Sequence, residues 1–254
     1  MDFYKISYKK YMSGKIRYGQ HHYDFNNGGM SFIAPRQLIA EDESNGECEG
    51  LTLLIHPDFF HGYALAGNVK NYAFFSYSAN EALQLSEFEK ETIMGLLTNI
   101  GNELQQRLDQ FSQDVIISQI ELLLNYSNRF YNRQFIIRKV INNDLLNRME
   151  QLLDAYFDSE LALTQGLPTV HYLATELHVS SGYLSDMLRA HTGTNAQQHI
   201  HQKLIEKAKE YLSTGSASVA EIAYQLGFER PQSFNKLFKS KTDLSPVQFR
   251  ATFN

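Results

Sequence analysis

One pattern of apolar residues occurs twice in the last third of the chain, about 50 residues apart. In both copies the residues are spaced as on short helices, and a recurrence at a fixed period indicates a duplicated structural unit. The pairs are Leu173 and Ile222, Ala174 and Ala223, Leu177 and Leu226, Val179 and Phe228, Leu184 and Phe234, Met187 and Leu237, Leu188 and Phe238, and Thr192 and Thr242. The sequence therefore predicts two copies of one small helical unit in tandem.

The downstream copy shows how such a unit is built. Ser218 and Glu221 have the spacing of a capping box, which starts a helix. Gly227 stands where that helix must end, because glycine adopts a left-handed backbone at little cost. A second helix begins near Arg230, with Pro231 tolerated in its first turn. These signals predict two short helices joined by a tight turn.

The second helix of each copy has an apolar back and a polar front. In the downstream copy Phe234, Leu237 and Phe238 form the back, and the front carries hydrogen-bond donors and positive charge. The major groove of DNA accepts a helix with such a front. The predicted DNA-binding residues are Arg230, Gln232, Ser233, Asn235, Lys236 and Lys239 downstream, and Ser181, Gly182, Ser185, Asp186 and Arg189 upstream.

Two upstream residues allow more than one interpretation. A carboxylate such as Asp186 is repelled by phosphate, so it either accepts a hydrogen bond from a cytosine amino group or pairs with a neighbouring Arg or Lys. Ser180 is suited to be a helix cap, and a cap near a helix N-terminus also helps to hold phosphate. We expect the pairing role for Asp186 and the capping role for Ser180.

The segment between the two copies, 195–213, is predicted to be one helix. Its apolar stripe consists of Ile200, Leu204, Ile205, Ala208 and Leu212. About 19 residues at about 1.5 Å each span roughly 28 Å, close to the roughly 34 Å between successive major-groove faces on one side of B-DNA. A single pattern of two helices is equally compatible with a hairpin in a protein core. Two copies at this distance favour a DNA-binding protein.

At these residues the chain resembles the C-terminal DNA-binding domain of the AraC/XylS family of bacterial transcription regulators. The resemblance covers about 145–253 and is strongest at Ile222-Ala223, Leu226-Gly227-Phe228, Phe234, Phe238-Lys239, Ser245-Pro246 and Phe249-Arg250. Asp243 departs from the pattern, since the family usually has glycine there, although Asp tolerates left-handed geometry. The resemblance implies a cytoplasmic regulator that binds double-stranded promoter DNA, contacts RNA polymerase and acts as a homodimer.

Charge does not mark the chain as a nucleic-acid binder overall, since the formal net charge is -5 and basic and acidic residues balance from Arg148 onward. The local placement of the basic residues is more informative than the net charge. Arg230, Lys236, Lys239, Lys241 and Arg250 cluster in the second copy. We expect this copy to hold the phosphate backbone, with a shallow dependence on salt.

The first 80 residues alternate in polarity between turn-rich segments. The predicted strands are 3–8, 15–18, 29–33 and 51–56, which favours a small antiparallel barrel. Residues 29–35 resemble a strand of the cupin-like sensory barrel that AraC-type regulators often carry. The chain starts where such barrels have usually already contributed strands, so we expect a truncated or reduced barrel. The fold class is thus α+β, with 1–80 as a sensory domain for a small-molecule effector.

A metal-dependent cupin enzyme with an appended helical module is the alternative, alongside an interaction protein. His21 and His22 are adjacent, and His56 and His61 lack a carboxylate in the arrangement that a cupin metal site needs. His199 and His201 are predicted to be exposed polar residues on a helix. We therefore expect no catalytic residues, no metal and no cofactor.

Two helices are predicted after the barrel, at 86–110 and 112–131. Ile93, Leu97, Ile100, Leu104, Leu108 and Phe111 form a stripe that must be covered. It packs either on its own barrel or on a second copy of the chain, and the family resemblance favours the dimer. We assign 81–131 to dimerisation, 132–144 to a linker and 145–254 to DNA binding.

Export and membrane insertion are not expected, since the chain lacks a long apolar run. The lone Cys48 cannot form an internal disulfide.

Overall fold

The computed structural model describes residues 2–12, 15–18, 21–24, 29–37, 48–78, 81–214 and 217–253. The chain divides into two compact units, 1–138 and 139–254. Among the described residues, the first unit contains the strands, one short helix and two long helices, and the second unit contains helices and no strand. The structure is therefore mostly helical, with a small antiparallel sheet near the N-terminus.

Four of the described strands of the first unit overlap their predicted bounds, and the strand at His21–Asp24 was not predicted. Strands β1 (Tyr4–Met12), β4 (Gly29–Ile33) and β5 (Cys48–Ile55) form an antiparallel sheet in the order β4-β1-β5, and β2 (Lys15–Tyr18) pairs with β3 (His21–Asp24) in a separate hairpin. Strand β1 runs four residues beyond its predicted end, and in this extension Tyr11 and Met12 pair with Glu49 and Cys48 of β5. Closure of the strands into a cupin-like barrel remains a prediction.

An aromatic cluster covers one face of this sheet. Phe32 on β4 meets Phe74 at 4.4 Å between ring centroids, and Phe74 stacks on Tyr131 of the following helical segment at 5.5 Å. All three rings are buried. Between strand and helix lie the short turns η1 (Pro57–Phe60), α1 (Leu65–Asn68), η2 (Val69–Asn71) and η3 (Ala73–Ser76). The sheet and the helices of this unit thus share one core.

Two long helices follow, α2 (Glu87–Gln105) and α3 (Ser112–Ile137). Helix α2 begins next to the predicted start at residue 86, where Ser86 and Glu89 form a capping box that the sequence analysis did not identify. The predicted stripe is buried only in its first half, at Ile93, Leu97 and Ile100. Its second half, Leu104, Leu108 and Phe111, is exposed. The helix ends at Gln105, five residues earlier than predicted, so the last two of these side chains no longer continue its buried face.

The predicted linker is helical. Residues 132–137 form the end of α3, and residues 139–144 form the start of α4 (Lys139–Asp158). Arg133 donates from Nη2 to Glu89 Oε2 at 2.5 Å and from Nε to Glu89 Oε1 at 3.0 Å, which joins the end of α3 to the start of α2. This segment therefore contributes to the packing of the first unit up to the break at Arg138.

In the described part of the second unit, seven helices follow α4. They are α5 (Leu161–Gln165), α6 (Val170–Glu176), α7 (Ser181–Thr192), α8 (Ala196–Thr214), α9 (Val219–Gln225), α10 (Pro231–Thr242) and α11 (Pro246–Arg250). The predicted apolar stripe of α8 is buried at every position, Ile200, Leu204, Ile205, Ala208 and Leu212. This helix therefore lies in the centre of the core of the unit.

The period of about 50 residues also holds for helix bounds and caps. Helix α6 repeats as α9 after 49 residues, and α7 repeats as α10 after 50. Ser218 and Glu221 form the predicted capping box of α9, and Thr169 caps α6 at the equivalent place. Ser180 caps α7 through Tyr183 N, as expected. We call α6–α7 the first helix pair and α9–α10 the second helix pair.

Left-handed residues end the helices at equivalent positions of both pairs. Between the two helices the turn has His178 at φ 58° in the first pair and Gly227 at φ 90° in the second. After the second helix the roles reverse, with Gly193 at φ 80° and Asp243 at φ 61°. Asp243 adopts the left-handed geometry that glycine usually supplies, as the sequence predicts.

The Asp243→Gly substitution should stabilise the second unit. Asp243 is strained at φ 61° and places a negative charge at the C-terminal end of α10, and both effects are unfavourable. We expect a gain of about 0.5 kcal/mol, offset in part by the greater unfolded-state entropy of glycine, which corresponds to a rise of about 2–4 °C in the Tm measured by scanning calorimetry. The matched converse is Gly193→Asp, which should lower the Tm. An unchanged or lower Tm for Asp243→Gly would contradict the strain.

Candidate nucleic-acid interface

Helix α10 is anchored by its aromatic back. Phe234 and Phe238 are fully buried, with ring centroids 5.7 Å apart, and Phe228 from the preceding turn packs on Phe234 at 5.5 Å. Leu237 is half-buried at the edge of this core. Pro231 occupies the first turn, as predicted, and Arg230 is the N-cap residue without a side-chain cap bond. The packing fixes which face of α10 points to solvent.

The front of α10 is exposed along its whole length. All six predicted DNA-binding residues of this pair have exposed side chains: Arg230, Gln232, Ser233, Asn235, Lys236 and Lys239. Within the part of the chain that the structure describes, no carboxylate lies within 4.0 Å of the charged groups of Arg230, Lys236 or Lys239. These cations are therefore available for an anionic partner.

Arg250 does not belong to this surface, contrary to the predicted cluster. It is half-buried, and its Nη2 donates to the backbone carbonyl of Ala217 at 2.7 Å. The bond ties α11 to the residue just before the cap of α9. The sequence places Arg250 among the cations of the second copy, but its long side chain folds inward to satisfy a carbonyl outside regular structure.

Helix α7 presents a smaller and less basic front. Ser181, Gly182 and Ser185 are half-buried, whereas the Arg189 side chain is 58% exposed. Arg189 Nη1 donates to Asp186 Oδ1 at 2.8 Å, one helical turn away. The expected pairing of Asp186 is confirmed. At equivalent positions the two fronts read Gly182, Ser185, Asp186 and Arg189 in α7, and Gln232, Asn235, Lys236 and Lys239 in α10.

A close backbone approach joins the first part of the unit to the turn of the second helix pair. A Cβ added at Gly227 would lie 2.6 Å from Gly166 C and 2.9 Å from Ala162 O. Tyr156 on α4 donates to Gly166 O at 2.9 Å and holds this loop in place. Sequence reasoning explained Gly227 by its left-handed geometry alone and missed Gly166. The Gly166-Leu167-Pro168 turn was the available signal.

Ion pairs hold α8 against α4. Lys203 lies 2.7 Å from Asp154, and Lys207 lies 2.6 Å from Asp158. The side chain of Lys207 is only 13% exposed, and the hydrogen bond to Asp158 raises its pKa, so it stays charged. Together with the buried stripe, these pairs fix the helix that connects the two pairs.

The histidines of α8 are not simply exposed, contrary to the prediction. His199 is half-buried, and its Nε2 lies 2.9 Å from the hydroxyl oxygens of both Thr192 and Thr194. Burial lowers the pKa of His199, which favours the neutral ring. His201 Nε2 bonds to Gln197 at 3.0 Å, and burial lowers its pKa as well. His199 thus links the end of α7 to α8.

The histidines of the first unit that could be considered as metal ligands lie at the two caps of η1 and in β3. His56 Nδ1 accepts from the backbone N–H of Asp58 and caps η1, and the Asp58 carboxylate lies 3.5 Å from His56 and 3.6 Å from His61. His21 and His22 lie in β3. Within the described ranges, no group of three or more His, Cys, Asp or Glu side chains is arranged to hold a metal.

None of the helices in the described ranges combines the length and the apolar character that a membrane-spanning helix needs.

Comparison with known proteins agrees with the geometry of the second unit. The sequence model of the family described as "Helix-turn-helix domain" matches residues 173–252. The transcriptional activator RhaS of Salmonella dublin is 23% identical over 98% of this chain and 85% of its own length. The uncharacterised transcriptional regulator YfiF of Bacillus subtilis is 27% identical over 58% of this chain and 43% of its own length.

Among solved structures, the C-terminal domain of the response regulator yesN from Fusobacterium nucleatum is 31% identical. It covers 42% of this chain and 98% of its own, with a TM-score of 0.37. The matched helix-turn-helix segment contains both α9–α10 and α6–α7 from Leu173 onward. The chain is thus a helix-turn-helix protein. It is a DNA-binding transcription regulator of the AraC/XylS type.

Proposed function

We propose that both helix pairs bind promoter DNA, with α7 and α10 entering successive major grooves on one face of the duplex. The observation that carries this proposal is the exposed front of α10, on a helix whose aromatic back is fully buried. Among the described residues, the cations of this front have no acidic partner. The equivalent position of α7, one repeat earlier, supports a second contact. Helix α8 has 19 residues, or roughly 28 Å, which suits two grooves roughly 34 Å apart.

The two pairs are proposed to contribute unequally. The front of α10 supplies Lys236 and Lys239 for phosphate and base contacts, whereas that of α7 has one cation, which is already paired with Asp186. Phosphate contacts supply most of the affinity, and base contacts supply sequence information. The second pair therefore provides most of the affinity, and the first pair extends the recognised sequence.

The proposal is tested by selection from a random duplex library with the full chain. We expect enrichment of a bipartite site, with two conserved elements about 10–10.5 base pairs apart between centres. A single conserved element would show that one helix pair binds alone. A library without enrichment would contradict sequence-specific binding.

We further propose that the chain activates transcription, in contact with RNA polymerase, in the cytoplasm. The support is the relative RhaS, named as a transcriptional activator, which aligns over nearly the whole chain. The curated relatives that match are transcription regulators, which favours a regulator over a cupin-type enzyme. A promoter fusion carrying the selected site should give higher reporter activity with the intact chain than without it. Lower activity would indicate repression.

The first unit is proposed to dimerise and to respond to a small-molecule effector. Dimerisation is supported by a run of exposed apolar side chains where α2 ends and α3 begins. These side chains and their exposures are Leu104 (52%), Leu108 (59%), Phe111 (60%) and Val115 (40%). Exposed apolar side chains grouped in this way along the chain are typical of an interface. An effector would act by changing how often the paired second units can engage adjacent sites.

The substitution pair Leu108→Glu and Phe111→Glu should abolish the dimer, because it places two charges in the apolar contact. We expect the wild-type mass measured by light scattering at about 10 µM to be that of a dimer, and the variant mass to be that of a monomer. Phe88→Glu is the control, since Phe88 is exposed at the start of α2, away from this run. A monomeric wild-type chain, or a variant that stays dimeric, would contradict the proposed contact.

A further inference from the structure

We propose that Asp186 is a positioning residue that orients Arg189 to recognise one guanine, so that the ion pair on α7 sets base preference in the first half of the site. This inference rests on the proposed DNA binding by the first helix pair. It goes further by assigning the recognition to one side chain and the orientation of that side chain to another.

On the front of α7, Arg189 is the residue whose side chain is long enough to contact the edge of a base. Residues 182, 185, 186 and 189 are spaced by three and four, so they share one face of the helix. Gly182 and Ser185 are small, which allows the helix to approach the groove closely. Arg189 is the one long side chain of these four, and it is exposed. A bidentate arginine on O6 and N7 of guanine is the commonest specific contact in the major groove.

The geometry of the pair leaves the guanidinium able to bind a base. The bond to Asp186 uses Nη1 of Arg189 at 2.8 Å. A guanidinium has five N–H donors in a fixed plane, so enough donors remain for a two-bond contact with guanine. The Asp186 side chain is 27% exposed and lies on the same helix one turn earlier. It therefore limits the rotamers of Arg189 before DNA binds.

Stability does not explain the pair. An exposed ion pair between residues three apart on a helix contributes little to folding, because solvent screens it. A carboxylate on a surface that meets DNA also repels phosphate, so it weakens binding to every sequence. Asp186 is thus unfavourable for general affinity, and its benefit lies in restricting Arg189. The equivalent residue of the second pair, Lys236, has the opposite charge.

A double-mutant cycle on the selected site separates this role from direct reading. The full chain is titrated against the selected duplex and against the same duplex with the proposed guanine replaced by each other base. We expect the wild-type chain to prefer guanine at one position by about 10-fold or more, Arg189→Ala to lose that preference, and Asp186→Ala to reduce it severalfold. In the Arg189→Ala background, Asp186→Ala should leave the base preference unchanged.

Further variants exclude simpler explanations. Asp186→Glu should restore part of the preference, and Arg189→Lys should keep general affinity while losing the preference, because lysine lacks the planar fork. Glu206→Ala removes an equal charge from α8 and should leave base preference as it is. Asp186→Ala should raise affinity for unrelated duplexes.

Each outcome bears on one proposal. Additive effects of Asp186→Ala and Arg189→Ala on base preference would overturn the positioning role and assign Asp186 a direct contact with cytosine. Unchanged preference in Arg189→Ala would overturn the assignment of guanine recognition to Arg189. Absence of binding by the wild-type chain to any duplex would refute the proposed function itself, independently of this pair.

Discussion

Replacing Gly227 by alanine should destabilise the second unit by about 2–5 kcal/mol. The left-handed backbone at φ 90° costs an L-residue about 1–2 kcal/mol. The added Cβ would also lie 2.6 Å from Gly166 C and 2.8 Å from Gly166 O, and overpacking against atoms that cannot rotate away costs about 1–3 kcal/mol. The measurement is the Tm of the second unit in the full chain, followed by scanning calorimetry.

Gly193→Ala is the matched control for this prediction. Gly193 has a similar φ of 80°, but a Cβ there would meet nothing within 4 Å. The control therefore loses stability only through the backbone conformation. The difference in stability loss between the two variants isolates the contact with Gly166. Equal losses of Tm for Gly227→Ala and Gly193→Ala would show that the close approach is absent in solution.

The double substitution Lys236→Ala and Lys239→Ala should weaken binding to every duplex at least about 10-fold. Both side chains are exposed on the front of α10. Each phosphate contact contributes about 0.9 to the slope of log K against log salt, so loss of both should make that slope shallower by about 2. If one of the two reads a base instead, the slope should change by about 1 and one base preference should be lost. Fluorescence anisotropy at several salt concentrations measures both quantities.

The control variant removes the same charge elsewhere. Lys70→Ala with Lys90→Ala lies in the first unit, on η2 and α2. It should leave affinity and salt slope close to the wild-type values, since the DNA-binding front is intact. Equal losses in the two double variants would mean that net charge, rather than the front of α10, determines binding.

Local signals in the sequence predicted most of the second unit. The capping box at Ser218, the proline at the start of α10 and the left-handed residue at Asp243 each act within a few residues, so they are visible in one sequence. The buried stripe of α8 follows from helical periodicity alone. The pairing of Asp186 with Arg189 also follows from spacing, because residues three apart on a helix are neighbours.

Contacts between distant segments could not be predicted in the same way. The approach of Gly166 to Gly227 joins residues 61 positions apart, and the inward turn of Arg250 depends on a carbonyl 33 positions earlier. The predicted end of α2 was wrong because apolar spacing continues past Gln105 although the helix does not. The helical character of 132–144 was missed because its polar composition resembles that of a linker.

Bipartite binding requires two recognition helices that contact one face of DNA together. Hydroxyl-radical footprinting of the full chain on its selected site tests this most directly, because it maps backbone protection at single-nucleotide resolution. We expect two protected patches on the same face, about 10–10.5 base pairs apart. The patch that Lys236→Ala weakens should belong to α10, and the one that Arg189→Ala weakens should belong to α7. A single patch, or no protection at all, would contradict binding by both helix pairs.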